Sequence, residues 1–222
     1  MLRVMKLYRT LLVFLAIVLV PALGFGTSKY VVLEFEGAIG PVSDRYISNG
    51  IDKAEDIGAD FILLKLDTPG GLMESMRKIV KKIMASEIPV NGYVYPVGAR
   101  AASAGAFIML STHVAAMSPG TNMGAAHPVA MGEKQPDSVM MGKLENDAVA
   151  FIISIAEARG RNAEWAERAV RESISSSANE SLELGLIDYV ASSPEELLEM
   201  LDGHEVEMEE GEIVLETAEA EE

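Results

Sequence analysis

Phe61-Ile-Leu-Leu-Lys-Leu66 has a single polar member in six residues. The run is too short for a buried helix and too continuous for a strand with one wet face. It reads as a strand buried on both sides, the kind found in parallel sheets. Stretches of helical spacing flank it. Asp44 to Ile57 sets Ile47, Ile51, Ala54 and Ile57 near one face. Met73 to Ala85 sets Met76, Ile79, Val80 and Ile83 in a stripe, with Arg77, Lys78, Lys81 and Lys82 on the wet side. Tyr30 to Glu36 and Val90 to Val97 read as further strands. Strands and helices alternate, so the chain is expected to be α/β, built of βαβ units with a largely parallel sheet.

Farther along, Met117 to Gly142 is rich in Gly, Pro, Met and Ala and reads as a long loop with one short strand at most. Met123, Met131, Met140 and Met141 suit either an adaptable apolar groove or gap-filling in the core. Lys143 to Arg159 has the pattern of the longest helix, capped by Gly160. Helices at Ala163 to Glu172, Ser181 to Leu184 and Pro194 to Leu201 follow, with a strand at Tyr189 and Val190.

In open parallel sheets, functional turns lie at the carboxyl ends of strands. Two such turns stand out. Asp67-Thr-Pro-Gly-Gly71 follows the second strand, and Ala101-Ala-Ser-Ala-Gly105 follows the third. The latter is close to G-x-S-x-G, in which a strand-to-helix turn exposes a serine and aims the next N–H at an oxyanion. Ser103 is therefore the candidate nucleophile. The N–H groups of Ala104 and of the Gly70-Gly71 pair are candidate oxyanion donors, although Pro-Gly-Gly also suits a plain type II turn. Two residues compete as base. His127 has the ordinary base chemistry, but a lone histidine is more often structural, and Ser-His systems usually add an orienting carboxylate. Lys143 serves only if burial or positive potential depresses its pKa. Met140, Met141 and Leu144 offer apolar neighbours, and a position at the helix start adds the positive end of the dipole. Asp147, one turn on, opposes that shift if it pairs with Lys143. Lys134 is a weaker competitor among charged loop neighbours.

The chain has 222 residues and no cysteine, which excludes disulfides, thiolate metal sites and a cysteine nucleophile. The formal net charge of −16 argues against nucleic acid as a partner. Most of it sits at one end, where thirteen acids and no Lys or Arg follow from Glu195. Residues 204–222 thus read as a solvated acidic tail behind a domain at 28–203. Arg3, Lys6 and Arg9 precede an apolar run from Leu11 to Val20, and small residues follow at Gly24, Gly26 and Ser28. Residues 1–27 read as a signal peptide or a retained membrane anchor, with the remainder exported.

Leu66-Asp-Thr-Pro-Gly-Gly71, Ala101 to Ala106, Thr121-Asn-Met-Gly-Ala-Ala-His-Pro128, Gly160-Arg-Asn162 with Trp165-Ala-Glu167, and Leu201-Asp-Gly203 resemble segments of NfeD-type membrane-bound serine proteases. These are relatives of the Clp protease and signal-peptide-peptidase group. The resemblance implies a Clp/crotonase-like fold and a Ser-Lys dyad of Ser103 and Lys143, with Gly71 and Ala104 as oxyanion donors. It places Gly70, Gly71, Met123, Gly124 and His127 along the substrate groove. The triad aspartate of Clp proteases falls near Ser173, where only the neighbouring Glu172 is acidic. The resemblance further implies apolar peptide segments as substrate, a stomatin-like membrane protein as partner, self-association to at least a dimer, and no metal or organic cofactor. It suggests a short form without the family's C-terminal membrane helices and OB-like barrel. A non-catalytic membrane scaffold and a crotonase-like acyl-CoA enzyme are the alternatives on the same fold.

Overall fold

We describe residues 28–129, 137–209 and 211–222 of a computed structural model. Residues 1–27, expected from the sequence to be a signal peptide or membrane anchor, and Met131 and Lys134 lie outside the described residues. In chain order the elements are β1 (Tyr30–Glu36), α1 (Pro41–Asp56), β2 (Phe61–Asp67), α2 (Met73–Met84), β3 (Val90–Val94), β4 (Arg100–Ala102), α3 (Ala104–Ser111), β5 (Val114–Met117), β6 (Asn122–Gly124), α4 (Ser138–Ala158), α5 (Ala163–Arg171), β7 (Ser175–Ser177), α6 (Ala178–Glu183), β8 (Tyr189–Val190), α7 (Pro194–Leu201), β9 (Glu205–Met208) and β10 (Gly211–Val214).

The expected parallel sheet is present. Its order is β1-β2-β3-β5-β8, and every pairing in it is parallel. Successive residues of β2 serve opposite faces. Ile62, Leu64 and Leu66 join the core beneath α1, α2 and α3. Phe61 and Leu63 join a second core with Tyr93, Leu197, Leu201 and Leu215. Burial on both faces is what the continuous apolar run required. A second sheet, β4-β6-β7, stands at the carboxyl end of the first and is tied to it by the bridge Thr68↔Ala101, while the bridge Ile39↔Gly71 joins the turns that follow β1 and β2. All eight residues of α3 are buried, so this helix sits inside the domain rather than over a sheet face.

Two readings are corrected. The long helix begins at Ser138, not Lys143, because Asp137 caps it by accepting Met140 N–H at 2.8 Å. The acidic C-terminal segment is not a free extension. β9 and β10 form an antiparallel hairpin, Leu215 and Thr217 are buried, and Glu221 pairs with the start of β1 through Tyr30 N–H to Glu221 O at 3.0 Å. The acids face outward while Val206 and Leu215 are buried, so net charge alone misjudged the segment. Among the described residues, no helix is long and apolar enough to cross a membrane.

Candidate active site

Ser103 is the N-cap of α3 and has φ 51° and ψ −112°. A non-glycine residue rarely adopts a positive φ, which costs about 1–3 kcal/mol unless the surroundings enforce it. Three features enforce it here. Ser103 N–H donates to Gly124 O at 2.8 Å. Thr68 N–H donates to Arg100 O at 2.7 Å, and Ala102 N–H donates to Thr68 O at 3.0 Å, fixing β4 against the end of β2. Gly105 lets α3 start against Thr68, since a Cβ there would lie 2.6 Å from Thr68 Cγ2. The small residues around Ser103 are therefore a packing requirement, and they produce the sharp strand-to-helix turn that the sequence suggested.

The Gly70-Gly71 turn lies directly opposite. Gly70 has φ +107°, and a Cβ added to it would sit 2.6 Å from Ser103 Cβ and 3.1 Å from Ser103 Oγ. Only glycine fits this backbone and this approach. Gly70 N–H donates to Thr68 Oγ1 at 3.1 Å. Ile39 N–H donates to Gly70 O, and Leu72 N–H donates to Ile39 O, each at 2.8 Å. This bridge geometry turns the N–H and C=O of Gly71 toward the opposite edge, away from Ile39. Among the described residues Gly71 N–H has no backbone acceptor. Ala104, as the first residue of α3, has no intrahelical acceptor for its N–H. Among the described residues both N–H groups are thus without acceptors, in the two turns that meet at Ser103. Thr68, which occupies Gly70 N–H, was not singled out from the sequence. Ile39 was missed as well, since nothing local marks it.

The remaining candidates are placed differently. Lys143 lies in the second turn of α4, beyond the reach of the helix-end dipole. It is exposed, and Met140 beside it is 49% exposed, while Met141 and Leu144 are partly buried, so the apolar shelter expected from the sequence is incomplete. Among the described residues Lys143 makes no hydrogen bond or ion pair. Asp147 does not pair with it. The Asp147 carboxylate is held by Arg77, with Nη2 to Oδ2 at 2.6 Å. His127 is partly buried, and its Nδ1 lies 2.9 Å from Val170 O. Glu172 is paired with Arg168 at 3.1 Å, so no carboxylate orients His127 among the described residues. Ser173 is exposed, with φ 57°. Met123 is fully buried in the core. It fills space there rather than lining a groove, because β6 turns this side chain inward. Gly124 supports the serine turn through its carbonyl and, at φ +130°, packs too close to Ile174 and Ser175 to carry a side chain.

Comparison with known proteins agrees with this geometry. The pattern of the family described as NfeD1b, N-terminal domain, matches residues 30–211. The chain is 43% identical over 162 residues to the membrane-bound protease PH1510 of Pyrococcus horikoshii, covering 72% of this chain and 36% of that protein. It therefore spans about a third of that relative's length. Two solved structures of the 1510-N membrane-bound stomatin-specific protease superpose on it at 34% identity. One is a lysine-to-alanine variant in complex with a substrate peptide, with TM-score 0.81 over 89% of this chain and 91% of the other. The other is a serine-to-alanine variant, with TM-score 0.79 over 89% and 98%. The Clp-like architecture expected from the sequence is thus present. With its serine turn set against a glycine pair as described, the chain belongs to the NfeD1b N-terminal domain family.

Proposed function

We propose that this chain is a serine endopeptidase with a Ser-Lys dyad. The observation that carries the reading is the strained Ser103 turn, packed against Gly70 and flanked by the unpartnered N–H groups of Gly71 and Ala104. Ser103 Oγ attacks a peptide carbonyl, and the neutral amine of Lys143 takes the hydroxyl proton. The two N–H groups receive the developing oxyanion, a contribution of about 3 kcal/mol per donor in comparable sites. The lysine then returns the proton to the leaving amine, and water resolves the acyl-enzyme by the reverse roles.

The outward N–H and C=O of Gly71 suit an extended peptide added as a strand. An apolar segment of a stomatin-like membrane protein is the proposed substrate, a reading supported by the similarity to the stomatin-specific 1510-N protease. Residues 1–27 are proposed to hold the domain at, or export it across, a membrane, and the domain to act as at least a dimer. Incubating the full chain with apolar peptides and reading products by mass spectrometry tests the activity. Cleavage that disappears with Ser103→Ala supports it, and intact peptides bound equally by both forms favour a scaffold.

A further inference from the structure

α2 and α4 both pack against the buried α3, and they meet at Arg77. The guanidinium of Arg77 lies 4.1 Å from the centre of the Phe151 ring. Phe151 stacks in turn on Phe107 at 6.0 Å between ring centres. Phe107 is one turn from Ser103 on α3, and Phe151 is two turns from Lys143 on α4. From its seat on Phe151, Arg77 binds the Asp147 carboxylate at 2.6 Å. Asp147 is four residues from Lys143 and shares its helix face. Without Arg77, that carboxylate is the nearest acid one turn along from the amine.

We propose that Arg77 is a positioning residue for the base: it holds Asp147 away from Lys143 and so keeps the amine available to Ser103. The inference rests on the Ser-Lys reading above. Other charges around this helix already have partners. Glu145 and Glu167 are bound by Arg171 at 3.2 and 2.7 Å, and Glu172 by Arg168 at 3.1 Å. Lys78 on α2 lies 3.8 Å from Asp44. Lys82 of α2 is held by Asp52 and Glu55 at 2.7 and 2.8 Å. Glu74 and Lys81 of α2, Glu164 of α5 and Glu157 near the far end of α4 complete the charged groups of these elements, while α3 contributes none. Asp147 is therefore the acid whose release matters, and a carboxylate brought near an amine favours its charged form.

The test uses the full chain with Arg77→Met, which keeps an apolar stem over Phe151, and with Arg77→Met/Asp147→Asn. Labelling of Lys143 by an amine-reactive ester, followed by mass spectrometry across about pH 6 to 10 in a Ser103→Ala background, reports the neutral amine without requiring activity. Arg77→Met is expected to move the labelling midpoint up by about 0.3 pH unit, the size of an exposed i,i+4 pair, and the double variant to return it. The acid limb of the pH profile of kcat/KM should move with it, a loss of about twofold at fixed pH on that limb. A midpoint unchanged in Arg77→Met, or still displaced in the double variant, overturns the inference. Failure of the unaltered chain to cleave any peptide would instead count against the protease reading, with the labelling result standing apart.

Discussion

The two halves of the proposed dyad are built in opposite ways. Ser103 is fixed by backbone: main-chain hydrogen bonds to Gly124 and through Thr68, a glycine opposite, and a wholly buried helix behind it. Lys143 sits on an exposed stretch of α4 whose neighbours are held by surface ion pairs of Arg77 and Arg171. Such pairs contribute about 0–1 kcal/mol each, whereas the packing around Ser103 tolerates no added atom. The proposed nucleophile and oxyanion donors are thus preset, and the proposed base is adjustable. Opening of α4 at this end costs far less than opening of the serine turn.

That contrast can be broken most severely at Gly70. Gly70→Ala drives a Cβ into Ser103 at a φ unsuited to alanine. Cleavage should fall about 10²–10³-fold, the range for loss of an oxyanion donor, and calorimetry should find the chain still folded. Thr68→Val keeps the buried shape but strands Gly70 N–H, which now donates to Thr68 Oγ1. A loss of stability of about 1–3 kcal/mol in denaturant unfolding is expected, with about tenfold lower kcat at unchanged KM if the turn shifts the donors by a few tenths of an ångström.

The far end of α4 contributes to stability away from the proposed dyad. There Arg159 donates to Ser111 O at 2.9 Å and lies 3.0 Å from His113 Nε2, while Val90 N–H donates to His113 Nδ1. Burial, and then the Arg159 guanidinium, push the His113 imidazole down to about 3 from 6.5. The imidazole is neutral when folded and takes up a proton when unfolded between those two values. Its contribution is complete above pH 6.5 and is lost as the pH falls toward about 3. His113→Gln should flatten the fall in melting temperature over that window and leave kcat/KM within about twofold, because the change is remote from Ser103.

Much of this was legible in the chain. β1, β8 and α7 have the ends that their apolar spacing predicts, and β2 extends the predicted run by one residue. The turns at Ser103 and at Gly70-Gly71 were legible because glycine and small residues at strand ends carry a steric meaning. The three-residue strands β4, β6 and β7 were not separable from a loop, since no periodicity develops over so short a length. The start of α4 was missed because the Gly-, Pro- and Met-rich composition through Gly142 reads as loop, while the cap at Asp137 is an observation of the structure. Val206 and Leu215 were hidden by the acids around them. The roles of Ile39 and Thr68 are set by contacts between separate turns and have no local signature.

Lys143, and not His127, is the residue proposed to serve Ser103. The most direct test is cleavage of an apolar peptide by the full chain beside Ser103→Ala, Lys143→Ala and His127→Ala. His127 Nδ1 is already engaged with Val170 O, so His127→Ala should retain activity within about threefold. Loss of either dyad member should cost about 10⁴-fold or more. Activity that survives Lys143→Ala and vanishes with His127→Ala would contradict the account.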